Sequence, residues 1–209
     1  MKAPQLPSLS ALLCALCLSA CAPDMPPPAY PAQRFVLLRA DGQPATPGQG
    51  AWQCVWDKQS GLLWEVKDVN EGLRSALSSY SWYDGKQGRA KGGSCAKDEP
   101  GMPFVGYVPC DTSELQAALR AQNFCGARDW RLPNVAEWRS LLLQHGYGGE
   151  TRLPFPLFPG NVWGPYWTSE QGEIQGQHIA QTMHIGTGEV QPLRSASVAY
   201  VMLVAGKKE

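Results

Sequence analysis

Four cysteines, three histidines and a pair of carboxylates are the residues of this chain best suited to reactive chemistry. His178 and His184 are six residues apart in an alternating stretch and fall on the same side of it. With a third ligand from elsewhere they could hold one metal ion. A straight strand at ~3.3 Å per residue sets them about 20 Å apart, however, which argues against a shared ion. His145 follows a helix end, where an imidazole meets the negative end of the helix dipole. Asp129 and Glu137 could act as paired carboxylates, but both stand where caps of a turn and a helix already account for them. Cys54, Cys95, Cys110 and Cys125 are separated by 41, 15 and 15 residues, so the close CxxC pairs of a zinc site are missing. Of the chain's seven cysteines, Cys14 and Cys17 are expected to leave with an N-terminal signal and Cys21 to take lipid. The four that remain, an even number in an oxidising compartment, imply two disulfides with three possible connectivities. The preferred pairing is Cys95–Cys110, closing a Gly/Pro-rich excursion, and Cys54–Cys125, tying the first strand to a helix end. Oxidised cysteines leave no thiol nucleophile. No serine elbow, phosphate-binding glycine loop or EF-hand pattern occurs. The expectation is a protein that is not an enzyme, with no catalytic residue, no metal ligand and no cofactor.

The elements that position these residues announce themselves by punctuation. Residues 52–56 (WQCVW) and 62–66 (LLWEV) flank a turn at 57–61 and predict a hairpin. Residues 67–109, rich in charge, Ser, Gly and Pro, read mostly as loop, unusual in a compact domain unless functional or covalently pinned. Asp111 with Glu114 forms a capping box ahead of a stripe of Leu115, Ala118 and Leu119, with Gly126 as the expected stop. Asn134 with Glu137 opens a second helix, Val135, Trp138, Leu141 and Leu142 falling on one face before His145-Gly146. Residues 166–169 (YWTS) predict a buried strand. Residues 178–185 alternate, with His178, Ala180, Thr182 and His184 on one side and Ile179, Gln181, Met183 and Ile185 on the other. The apolar run 199–204 (AYVMLV) predicts one central strand. The pattern indicates an α+β fold with a mainly antiparallel sheet.

The chain has 209 residues, 18 Lys+Arg against 18 Asp+Glu, and 44% hydrophobic residues. A net charge of zero argues against a general nucleic-acid binder, which needs clustered Lys and Arg. No apolar run approaches the ~18 residues of a membrane-spanning helix. Residues 1–20 read as a secretory signal, with Lys2 ahead of an apolar core at 9–18. Leu18-Ser19-Ala20-Cys21 resembles the lipobox of bacterial lipoproteins, which predicts acylation of Cys21 and membrane anchoring by its chains. Ala22 in place of Asp favours, by resemblance to Gram-negative lipoproteins, the outer membrane, on its periplasmic or cell-surface face. The expected organisation is a lipoprotein signal at 1–20, the lipidated cysteine with a Pro-rich tether at 21–50, and a folded domain at 51–206. Three consecutive prolines at 26–28 keep the tether extended.

Three stretches together resemble a known family: 54–67 (CVWDKQSGLLWEVK), 125–138 (CGARDWRLPNVAEW) and 166–169 (YWTS). In order and spacing they are similar to the DUF1566, or Lcl C-terminal, domain, named after a collagen-like adhesin, over about residues 52–205. The Arg-Leu-Pro-helix feature recurs in formylglycine-generating (sulfatase-modifying) factors and in retroelement-diversified receptor proteins. The resemblance implies a C-type-lectin-like fold: a mainly antiparallel twisted sheet, two helices and long loops. In such a fold strands from the two ends of the domain pair, here 52–56 or 62–66 beside 199–204. The 129–134 motif reads as architecture, with Asp129 capping a turn or pairing with Arg131 or Arg128. The Glu-Pro-Asn and Trp-Asn-Asp patterns of calcium-dependent lectins are missing from the sequence. What remains is a binding module whose loops at 158–165, 170–177 and 193–198 carry recognition. Asn161, Trp163, Tyr166 and Arg194 are its candidate ligand-binding residues. Tyr80, Trp82 and Tyr83 form a second aromatic cluster, and Arg120, Arg128, Arg131 and Arg139 a candidate basic patch. The expected partners are a lipid anchor and an envelope protein or an extracellular glycan or protein, with no nucleic acid. The alternatives are a structural component of an envelope, pilus or secretion assembly, and an enzyme of the formylglycine-generating type.

Overall fold

A computed structural model describes residues 33–45, 51–68, 72–99, 102–144, 151–154 and 156–206. Cys21, the signal and the Pro-rich stretch at 22–32 lie outside the described residues, as does His145. The first strand, β1 (Phe35–Leu38), pairs antiparallel with β2 (Cys54–Asp57), Phe35 opposite Asp57. Part of the expected tether is therefore sheet. A turn leads from β2 into β3 (Leu62–Glu65), and Asp57 builds it by accepting the Gln59 amide at 3.0 Å and the Ser60 hydroxyl at 2.8 Å. The expected hairpin is present.

The excursion at 67–109 is more regular than its composition indicates. It contains β4 (Tyr80–Ser81) and a hairpin of β5 (Cys95–Glu99) and β6 (Met102–Val108), with Cys95 opposite Val108. The Cys95–Cys110 disulfide closes that hairpin at its base. Lys, Gly and Pro obscure any apolar alternation, and the covalent staple does the holding instead.

Helix α1 (Thr112–Ala121) starts at the Asp111 capping box as expected but stops short of Gly126. The chain reverses at Asn123 (φ 49°) and enters a 3₁₀ turn, Phe124–Gly126, that carries Cys125 at φ 50°. Cys125 is bonded to Cys54. Gly42 packs against this turn so closely that a Cβ there would lie 2.9 Å from the Cys125 carbonyl oxygen. Helix α2 (Val135–Leu141) has the Asn134–Glu137 box but ends before the expected His145, because Leu142 turns extended into β7 (Leu143–Gln144), which pairs with β8 (Thr151–Arg152).

Strands β9 (Pro165–Ile174), β10 (Gln177–His184) and β11 (Val190–Arg194) form an antiparallel sheet. The expected two-sided alternation of β10 is broken by a register shift between Ala180 and Thr182. Ile179, Ala180, Thr182 and Met183 are all buried, so both faces of β10 are covered.

The run at 199–204 is not one strand. It enters as β12 (Val198–Ala199) against β4, bridges Tyr166 at Tyr200, and leaves as β13 (Val204–Ala205) against β3. Its apolarity reflects burial from three sides. Val204 opposite Trp64 brings the two ends of the domain together, as the resemblance implied.

The sheet β1-β2-β3-β13 separates two cores. Cys54, Leu63 and Ala205 face Tyr80, Leu115, Trp130 and Trp167. Val55, Leu62, Trp64 and Val204 face Trp138, Tyr166 and Met183. The architecture is α+β, with mostly antiparallel sheets and two α-helices among the described residues.

Candidate functional site

The segment between β8 and β9 is held from beneath. The Asn161 side-chain amide donates to the Phe158 carbonyl at 3.1 Å, and the Tyr166 hydroxyl donates to the Val162 carbonyl at 3.1 Å. Phe158 is buried, so the loop is fastened by both apolar and polar contacts. On this fastened loop Trp163 lies 58% exposed. Its indole crosses Gly186, where a Cβ would stand 3.2 Å from the ring, and the Arg152 guanidinium is 5.9 Å from its centroid. Beside it opens a cleft of about 380 Å³ walled by Leu153, Phe158, Asn161 and Ile185. An indole face, an apolar wall and a neighbouring cation suit a ligand with a flat apolar surface and polar edges.

The four candidate ligand-binding residues do not all converge here. Asn161 and Trp163 share the cleft. Tyr166 is 1% exposed and cannot reach a ligand; burial pushes its phenol well above the usual range, and it acts as the peg under the loop. Arg194 sits opposite Ile179 on the ladder, seven residues from Gly186 and so about 20 Å from Trp163 along the strand. It belongs to a different part of the surface.

The 129–134 motif is internally consumed. Asp129 accepts the Gly206 amide at 2.9 Å, while Arg128 donates to Asn123. Trp130 is fully buried and donates to the Phe124 carbonyl at 3.1 Å. Arg131 makes a two-pronged bond to Glu137 at 2.7 and 2.8 Å, and that hydrogen bonding raises the guanidinium's proton affinity. The same Glu137 accepts the Asn134 amide at 2.8 Å, completing the cap of α2. Arg120 donates to the Trp130 carbonyl. Three of the four arginines of the candidate basic patch therefore serve the fold, leaving Arg139 exposed.

Of the second aromatic cluster, Tyr80 and Trp82 are core: the Trp167 indole donates to the Tyr80 carbonyl at 2.6 Å and the Trp82 indole to the Thr168 carbonyl at 3.0 Å. Below Tyr80 lies a buried ion cluster that the sequence did not signal. Glu65 is enclosed with Lys67 at 3.2 Å and Arg74 at 3.5 Å, and also accepts the Leu203 amide. Burial pushes the Lys67 ammonium down despite the Glu65 charge.

His178 and His184 turn to different partners. His178 stacks on Trp82 with centroids 4.9 Å apart, and the Nδ1 of His184 accepts the Gly186 amide. Among the described residues no three His, Cys, Asp or Glu side chains gather as a metal site.

A larger, apolar groove of about 580 Å³ lies at the other core, where Trp56, 41% exposed, faces Leu38, Leu63, Ala127 and Arg128. Alternation puts Trp56 on the same side as the buried Cys54, so nothing in the sequence signalled its exposure.

Two disulfides, capped helices and antiparallel sheets closed by the pairing of β13 with β3 define an α+β domain that presents braced loops around a double core. Compared with known protein families, residues 53–205 match the Lcl C-terminal domain, and the chain belongs to that family. No curated protein and no solved structure matches it.

Proposed function

We propose that this chain is a non-enzymatic outer-membrane lipoprotein, anchored through Cys21, whose C-type-lectin-like domain binds an extracellular or envelope glycan or protein. The observation that carries this reading is the Trp163 cleft. Burying a Trp removes on the order of 150–250 Å² of surface from water, yet this indole is displayed on a loop braced by Asn161 and Tyr166. A braced exposed aromatic beside an apolar wall suits the C–H face of a sugar ring or an apolar anchor of a protein partner. The disulfides at Cys54, Cys125, Cys95 and Cys110 support the non-enzymatic part, since they withhold the thiol that formylglycine-type oxidation needs. A role in an envelope assembly is the second reading. It draws on the Trp56 groove, an apolar surface of the kind protein partners cover.

The test is Trp163→Ala in the full chain, screened against an array of extracellular and envelope saccharides and by capture of envelope proteins. The expected result is loss of roughly tenfold or more in affinity for the bound ligand, with an unchanged melting temperature. Undiminished binding by Trp163→Ala, with loss in Trp56→Ala, transfers the function to the apolar groove and the assembly role.

A further inference from the structure

The outer half of the β9–β10 hairpin projects past the core and meets a second braced turn. Asp84 builds that turn by accepting the Gln87 amide at 2.7 Å and the Lys86 amide at 2.8 Å. Its base is locked where the Thr112 hydroxyl accepts the Tyr83 amide at 2.9 Å and donates to the Tyr83 carbonyl at 2.7 Å. Gly88 allows the turn to lie flat on Trp82: a Cβ there would stand 2.3 Å from the Trp82 carbonyl oxygen.

Between turn and hairpin lies a depression of about 480 Å³ lined by Gln87, Gln171, Glu173 and His178 over Gly88 and Gly172. A smaller one of about 180 Å³, lined by Tyr83, Asp84, Gln116, Arg131 and Ser169, adjoins it, and Gln171 lines both. The functional groups are held in place. His178 is clamped between the Trp82 ring and the Gln171 amide oxygen, 2.8 Å from its Nε2. Arg131 is fixed by Glu137.

The chemistry of this trough differs from that of the Trp163 cleft. Gln87 offers two donors and an acceptor, Gln171 and Gln116, whose oxygens His178 and Arg120 already hold, offer amide hydrogens, and the carboxylates and hydroxyls accept. Such a set matches a string of hydroxyl groups, each of which donates and accepts at once. Charge excludes the obvious alternative. The backbone amides of Gln87 and Lys86 hold the Asp84 carboxyl below the usual range, so it stays ionised, and Glu173 adds a second carboxylate. The only full cation in the lining, Arg131, is already neutralised by Glu137. A sulfated or phosphorylated ligand would meet net repulsion.

We propose that this trough is a binding site for a neutral, hydroxyl-rich ligand, a short uncharged oligosaccharide, separate from the Trp163 cleft and independent of that reading. The test uses the purified full chain and three neutral probes, maltotriose, mannotriose and the N-acetylglucosamine trimer, with heparin as the anionic contrast, followed by calorimetry and saturation-transfer NMR. At least one trisaccharide is expected to bind with a dissociation constant of about 1 mM or tighter. Gln171→Ala and Gln87→Ala should each weaken it roughly fivefold or more, as loss of one or two hydrogen bonds would, at unchanged melting temperature. Trp163→Ala should leave it intact, and heparin should not compete. No binding of any of the three sugars at about 10 mM overturns the proposal. So does sugar binding that falls with Trp163→Ala but not with Gln171→Ala, a result that leaves the Trp163 reading standing.

Discussion

Asp57 shows how a single side chain can tie several segments and so make the fold sensitive to acid. Its carboxylate is wholly enclosed, which by itself would raise its pKa. The Arg34 guanidinium at 2.6 and 2.8 Å, the Ser60 hydroxyl and the Gln59 amide outweigh that and hold it below the usual carboxylate range. Arg34 also donates to the Ser140 carbonyl at 2.7 Å, so one charged pair joins β1, the β2–β3 turn and α2. A carboxyl whose folded pKa lies below its unfolded value, about 3.9, stabilises the fold above that pH and loses the contribution as pH falls through the folded value. Arg34→Ala should therefore cost about 2–3 kcal/mol at neutral pH and move the acid-unfolding midpoint upward, read by circular dichroism against pH. An acid midpoint identical to the parent's would show that the pair contributes nothing. The Trp163 indole is the opposite kind of residue, held in place by neighbours and holding nothing itself, so its truncation should leave stability untouched.

Among the elements, the helices rest on short local codes. The Asp111 and Asn134 boxes are complete on both sides, side chain to amide and glutamate back to the cap amide. Asp111→Ala should lower stability by about 1 kcal/mol. Glu137→Ala should cost more, since it strips the α2 cap and also frees Arg131. Because Arg131 is partly exposed, the Arg131–Glu137 coupling in a double-mutant cycle should come to no more than about 1 kcal/mol. A coupling near zero would reduce the Arg-Leu-Pro-Asn motif to its cap. Such codes, and the hairpin turn at Asp57, act within a few residues and are readable from sequence. The β5–β6 hairpin is not, because its order comes from Cys95 meeting Cys110 rather than from alternation. The 198–205 segment is not either: it meets β4, β9 and β3 in turn, and no periodicity encodes three partners. The same reasoning separates the site residues. Asn161 and Trp163 are neighbours in sequence and stayed neighbours in space. Tyr166 differs from them only in burial, and Arg194 only in its place along the ladder. Gln87 and Gln171 meet through tertiary packing alone.

The closure of the domain rests on its two cross-links unequally, because they do different topological work. Cys95–Cys110 spans 15 residues and ties a hairpin to itself beside the α1 cap. Cys54–Cys125 spans 71 residues and fastens β2, the middle of the four-stranded sheet, to the turn that follows α1. That turn also donates the Cys125 amide to the Ala40 carbonyl, so β1 and its turn are drawn into the same joint. Loop-closure entropy assigns about 3 kcal/mol to the shorter link and about 4 kcal/mol to the longer. Both links lie in the same buried cluster with Trp130 and Leu119, so the space left by lost sulfurs adds to each cost and the ranking rests on loop length. At roughly 2–4 °C per kcal/mol for a domain of this size, Cys54→Ala with Cys125→Ala should lower the melting temperature by about 8–16 °C. The loss should be cooperative, with hydrogen-exchange protection falling in β2, β3 and α1 together. Cys95→Ala with Cys110→Ala should lower it less and should free chiefly the amides of β5 and β6, sparing α2 and the β9–β10 sheet. If the shorter link proved the costlier one, with protection lost across the four-stranded sheet, then the fold would be held from its excursion rather than from the joint at Cys125. The account of a central sheet clamped between two cores would have to be redrawn around residues 79–110.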